Sequence, residues 1–155
     1  MEWTTLAATG LGALVGVGST LLADRVRWRR DLSERNRQER KDIYVACLTK
    51  YRQAYEDMYA AANSPQEGTA RDAAVREAFR ASGSDEVRES ALICAPQEMS
   101  DAIEAVYTTL RDLMDVLAAG EPPLDSPEFQ EHRLRHAQAV WDARSAMRQD
   151  LERRA

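Results

Sequence analysis

The chain has 155 residues, 44% of them hydrophobic and only 6% aromatic, and a net charge of −5. That length leaves room for one small domain beside an anchoring segment. The charge is unevenly placed, with eight basic and four acidic side chains in residues 24–41 and thirteen basic against twenty-one acidic in residues 42–155; so acidic a body is repelled by phosphates, which excludes nucleic acid as the expected partner.

The run Trp3–Ala23 has no charged residue in 21 positions and is followed at once by DRVRWRRD. As a helix it reaches roughly 31 Å, about the hydrocarbon thickness of a bilayer, so the sequence predicts one transmembrane helix. Its four glycines would each cost about 1 kcal/mol in water and are better tolerated in lipid. Basic residues follow the apolar run, whereas a cleaved signal peptide carries them in front. The run also lacks the charged face of a helix lying on the surface.

Orientation follows from the flank. Arg25, Arg27, Arg29 and Arg30 crowd one end, which puts that end on the cytoplasmic side of the plasma membrane and the N-terminus outside. With Trp28 they are the candidate contacts to lipid headgroups. Ala8, Gly12, Gly16 and Thr20 recur every four residues, the spacing at which two spanning helices pack backbone to backbone. The expected partners are therefore the lipid bilayer and either a second copy of the chain, as a homo-oligomer, or a cytoplasmic protein.

From Asp24 to about Asn63 neither Pro nor Gly interrupts, so the anchor is expected to continue into one long helix. Its segment SERNRQERKD at 33–42 is polar on every face, as in a stalk that crosses solvent. The chain thus divides into an anchor at 1–23, a basic juxtamembrane stalk at 24–42 and a cytoplasmic helical bundle at 43–155. Tyr44, Leu48, Tyr51, Tyr55, Met58 and Ala62 begin the bundle's apolar stripe.

Asn63, Ser64 and Pro65 break the helix, and Pro65 is placed to open a second one running to Ala81. Its apolar side is Ala70, Ala73, Ala74, Val75, Ala78 and Phe79. Gly83 ends it, and Ser84 with Asp85 opens a third helix with Val87, Ala91 and Leu92 inward, interrupted at Pro96. Then comes the strongest pattern in the chain, Met99, Ile103, Val106, Leu110, Leu113 and Leu117, a seam that an antiparallel bundle or coiled coil buries. Gly120 closes that helix, and EPPLDSP at 121–127 reads as a rigid polar connector. Ser126 and Pro127 cap a last helix, whose inner face is read as Phe129, Leu134, Ala137, Val140, Trp141, Met147 and Leu151. The expected fold class is all-α, one N-terminal transmembrane helix continuing into an antiparallel bundle of about four helices.

Residues able to carry chemistry are few. His132 and His136 stand four apart with Glu128 a turn earlier, a spacing two metal ligands use on a helix. No HExxH and no third ligand accompany them, so they are read as a solvated helix face and no metal is expected. Asp112 with Asp115, and Asp101 with Glu104, are read as the watered side of the seam. Cys47 and Cys94 lack CxxC spacing and are expected to be reduced and buried. Tyr44, Tyr51, Tyr55 and Tyr59 fall on the buried stripe and are read as core. GxSxG, P-loop and GxGxxG motifs are all missing, so no catalytic residue, no cofactor and no enzymatic activity are expected.

The glycine-rich span running into LLADRVRWRRD at 21–31, and more loosely LICAPQEMSDAIEAV at 92–106, resembles short single-span membrane-anchored helical proteins of unassigned function from bacteria with GC-rich genomes. That resemblance implies a location and no activity. The function expected is a non-enzymatic, membrane-tethered interaction or scaffold module. The alternative is a ligand- or metal-binding sensor or enzyme, with the two histidines as its best candidates.

Overall fold

A computed structural model describes the backbone from Trp3 to Arg153 and the side chains of residues 24–153. The described residues form five helices and no strand: α1 (Trp3–Ala62), α2 (Gly68–Ala81), α3 (Ser84–Cys94), α4 (Gln97–Ala119) and α5 (Pro127–Arg153). They divide into two compact units, one up to Gln38 and one from Glu39 onward. In the first, every described side chain from Asp24 to Gln38 is exposed, the apolar Val26, Trp28 (at 66%) and Leu32 among them. Among the described residues no helix is long and apolar enough to cross a membrane. The side chains of Trp3–Ala23, and with them Ala8, Gly12, Gly16 and Thr20, lie outside the described residues.

The second unit is a helical bundle centred on α4. All six seam residues are buried, five of them at 0% exposure, and Met114 and Ala118 widen the buried face. Two stripes one position apart explain the wider face, because α4 is covered on several sides, by α5, α2 and α3. Each of these runs antiparallel to it: Thr109 and Glu98 meet His136 and Arg153 of α5, Asp115 and Tyr107 meet Arg76 and Phe79 of α2, and Tyr107 and Glu104 meet Asp85 and Arg88 of α3. The last turns of α1 add Tyr44, Cys47, Tyr51, Ala54, Met58 and Ala62 to the core, and its tyrosines stack along α5, Tyr55 on His136 and Tyr59 on Phe129.

Three helix boundaries have local causes. Asn63 Nδ2 donates to Tyr59 O at 2.8 Å and Ser64 Oγ donates to Ala61 O at 2.7 Å, so residues after Ala62 close the carbonyl end of α1. The second helix therefore begins at Gly68, three residues later than the Pro65 expected from sequence. Ser82 Oγ donates to Phe79 O at 2.6 Å and accepts from Ser84 N at 3.2 Å, which satisfies the buried turn between α2 and α3. Ser126 Oγ accepts from Phe129 N at 3.1 Å, an N-cap with Pro127 in the first helical position. The connector before it is less polar than its composition suggests, because Leu124 packs against the core.

The inner face of α5 departs from the sequence reading. Phe129 and Met147 are buried and Val140 and Leu151 partly so, but Leu134 is 70% and Trp141 60% exposed, and Ala137 is exposed with them. The buried line is Phe129, His136, Ala143, Met147 and Asp150. Heptad spacing from Phe129 selects a histidine and an aspartate, and an apolar count over the whole helix is drawn instead to a second stripe that faces water.

Candidate functional site

Polar side chains enter the bundle at three places. The first is His136. It is 8% exposed, its ring is stacked on Tyr55 with centroids 6.0 Å apart, and its Nδ1 lies 3.0 Å from Thr109 Oγ1. Thr109 Oγ1 also lies 2.9 Å from Val106 O and 3.1 Å from Ala105 O. Its one proton satisfies a carbonyl of α4, which leaves the oxygen to accept from Nδ1–H; the tautomer is assigned from this network. The solvated-face reading thus fails for His136, because the helix turns it inward. His132 is half-buried and Glu128 exposed, and no group of three metal-ligating side chains occurs among the described residues.

Burial lowers the His136 pKa to about 4 from its ordinary 6.5, because the desolvated ring disfavours its charged form. The folded state therefore binds fewer protons than the unfolded chain between these values. Stability from neutral His136 is complete above about pH 6.5 and is lost as pH falls towards 4, by about 3 kcal/mol in all. Chemical denaturation at pH 7.5 and pH 4.5 checks this. His136→Leu is expected to remove about that much of the acid destabilisation, and an equal pH dependence in the two proteins would refute the buried neutral ring.

The second place is Asp150, 8% exposed near the end of α5. Tyr44 Oη donates to its Oδ2 at 3.0 Å and Arg40 Nε stands 3.7 Å from the same oxygen. Both partners lie on α1, in the first turns of the bundle unit. Tyr44 is part of the legible stripe, but its acidic partner is not, since Asp150 sits in a stretch of charged and amide residues. Only the heptad Phe129, His136, Ala143, Asp150 could have flagged it. A cavity of about 310 Å³ between the first turn of α4 and the last turns of α5 reaches the same carboxylate, with Pro96, Met99, Gln149 and Arg153 among its walls.

The third place joins α1, α3 and α4. Arg88 lies over the Tyr107 ring, 4.7 Å from its centroid, and pairs with Glu104 and Glu89. Tyr107 donates to Asp85, and burial with that hydrogen bond pushes its pKa up to about 12. Tyr51 is 1% exposed; its hydroxyl has no conventional hydrogen-bond partner and interacts with the Cys47 thiol, a weak one. Burial pushes both the Tyr51 hydroxyl and the Cys47 thiol up, which keeps the thiol protonated and unreactive. Cys94, expected to be buried, is exposed at the last position of α3.

The remaining sequence candidates stay apart. Asp101, Asp112 and Asp115 are exposed, with Asp115 accepting from Arg76 at 3.1 Å, and Glu104 is taken up by Arg88. Arg25, Arg27, Trp28, Arg29 and Arg30 are exposed in the other unit. On the outside of α5, Leu134 and Trp141 face solvent beside Arg144 and Arg148, an assembly the sequence reading also leaves out. Comparison with protein-family models, curated proteins and solved structures found no match.

Proposed function

We propose that the chain is a non-enzymatic, membrane-tethered helical interaction module. The run Trp3–Ala23 spans the plasma membrane with the N-terminus outside, Arg25, Arg27, Arg29 and Arg30 hold the inner end, and the bundle stands in the cytoplasm. Spanning helices of two copies associate through Ala8, Gly12, Gly16 and Thr20. The observation that carries this reading is the exposed stretch 24–38 of α1, where four arginines and Trp28 follow directly on an uncharged run of bilayer length. The non-enzymatic part is supported by the engagement of His136 with Thr109, of Asp150 with Tyr44 and Arg40, and of Glu104 with Arg88.

Density-gradient flotation of the full chain, with a fluorescent reporter at its C-terminus, tests the tether. The protein is expected to float with membranes, to resist alkaline extraction and to fluoresce in the cytoplasm. Replacing Arg25, Arg27, Arg29 and Arg30 by Glu is expected to scramble its orientation. A full chain that stays in the soluble fraction without detergent removes the reading.

A further inference from the structure

The outer face of α5 is unlike the rest of the bundle surface. Leu134, Ala137, Trp141, Arg144 and Arg148 follow one another at spacings of three and four, so they share one face of the helix. Leu134 is 70% and Trp141 60% exposed. Elsewhere in the bundle Arg52, Arg76, Arg80, Arg135 and Arg153 each hold a carboxylate, and exposed Arg111 stands alone without a neighbouring exposed tryptophan or leucine on its helix. Arg144 and Arg148 have no ion pair among the described residues, and neighbouring Arg133 donates only to the Gln130 amide, at 3.1 Å. A shallow groove of about 320 Å³ between α1 and α5, with Leu48 and Arg144 in its walls, adjoins this face.

A basic and apolar island thus stands on a body whose other charges are mainly acidic. We propose that this face of α5 docks an acidic amphipathic segment of a partner protein, apolar residues one heptad apart meeting Leu134 and Trp141, and carboxylates bridging Arg144 and Arg148. Trp and Arg are the side chains that dominate interface energetics, and unpaired arginines supply both steering and register. A second copy fits less well, because its matching face offers the same two arginines and no carboxylate among Leu134, Ala137, Trp141, Arg144 and Arg148. A lipid surface also fits less well, since an anionic membrane repels the acidic body as a whole, whereas a short segment meets the local charge. The proposal names the partner class for the interaction reading above and rests on that reading, but not on the tether.

The test uses the full chain in vesicles of neutral phosphatidylcholine, with Trp3→Phe and Trp28→Phe leaving Trp141 as the only tryptophan. The probe is a synthetic helical peptide of about three heptads, with Leu at heptad spacing and Glu between, and its counterpart carries Lys for Glu. A saturable blue shift of Trp141 emission is expected with the acidic peptide and not with the basic one. Affinity is expected to fall about tenfold or more in R144E/R148E, which then prefers the basic peptide, and to fall in Leu134→Ser, a change at an exposed position. No saturable shift with the acidic peptide, or an equal one with the basic peptide, overturns the proposal. So does a shift produced by anionic vesicles alone, which assigns the face to lipid, or by protein concentration alone, which assigns it to a second copy. Flotation of the unsubstituted chain with the same vesicles and peptide separates the two readings. A chain that floats and ignores the peptide refutes this site, and one that binds the peptide without floating refutes the tether.

Discussion

Truncating Leu110 to alanine is expected to destabilise the bundle by about 3–5 kcal/mol. Leu110 is at 0% exposure in the middle of α4, the helix on which α5, α2 and α3 converge. Removing its side chain forfeits the transfer of its methyl groups from water and leaves a cavity that three packed neighbours cannot all close. Since small domains hold only about 5–15 kcal/mol in total, a loss of that size takes the protein close to unfolding at room temperature. Urea denaturation of the full chain in mild detergent reads it as a lowered midpoint with an unchanged slope. Leu134→Ala and Trp141→Ala are the companion measurements. Both are apolar residues of α5, yet their exposure confines the expected change to about 0.5 kcal/mol. A loss near 3 kcal/mol at either would mean that α5 is turned about its axis from the orientation described.

Replacing Asp150 by alanine is expected to cost about 3–5 kcal/mol, for a different reason. The Arg40 side chain is only 15% exposed, and its Nε has no hydrogen-bond partner even with Asp150 present. Deleting the carboxylate leaves that guanidinium buried without a counter-charge, and a buried charge without a partner is among the most expensive single defects a domain can carry. Exchanging both members, Arg40→Met with Asp150→Leu, is expected to recover most of that loss, because the desolvation of both ions is removed together, and to fall short of the unchanged protein by about 1 kcal/mol for the Tyr44 bond to Asp150. Thermal melting of the three proteins decides between this account and simple packing. If the double variant loses as much as the single one or more, Asp150 matters through its shape and not through its charge.

The helices and the seam were legible in the sequence, and the reasons are local. Met99 to Leu117 alternate by three and four over more than five turns with charged residues between, and no other backbone conformation puts that set on one side. Gly83 and Gly120 stand at φ +73, where they alone avoid a steric penalty, so they mark the ends of α2 and α4. Ser126 caps α5 with its own hydroxyl. The inner face of the last helix is not legible in this way, because the helix carries two stripes. Its apolar residues at 134, 137 and 141 outweigh a buried line that includes His136 and Asp150, and composition ranks both of these among exposed residues. Nothing in α5 says that Thr109 stands opposite one and Tyr44 opposite the other.

The sequence alone determined what depends on neighbours along the chain: an all-helical body, its helix ends, the apolar seam, and the contrast between an uncharged N-terminal run, a basic flank and an acidic body. Only the tertiary structure decided which way α5 faces, and with it which polar groups are buried and paired and which arginines are left without a carboxylate. The physical reason is range. Helical periodicity and capping act over one or two turns of the same chain, whereas the burial of His136 and Asp150 is set by partners 27 and 106 residues away.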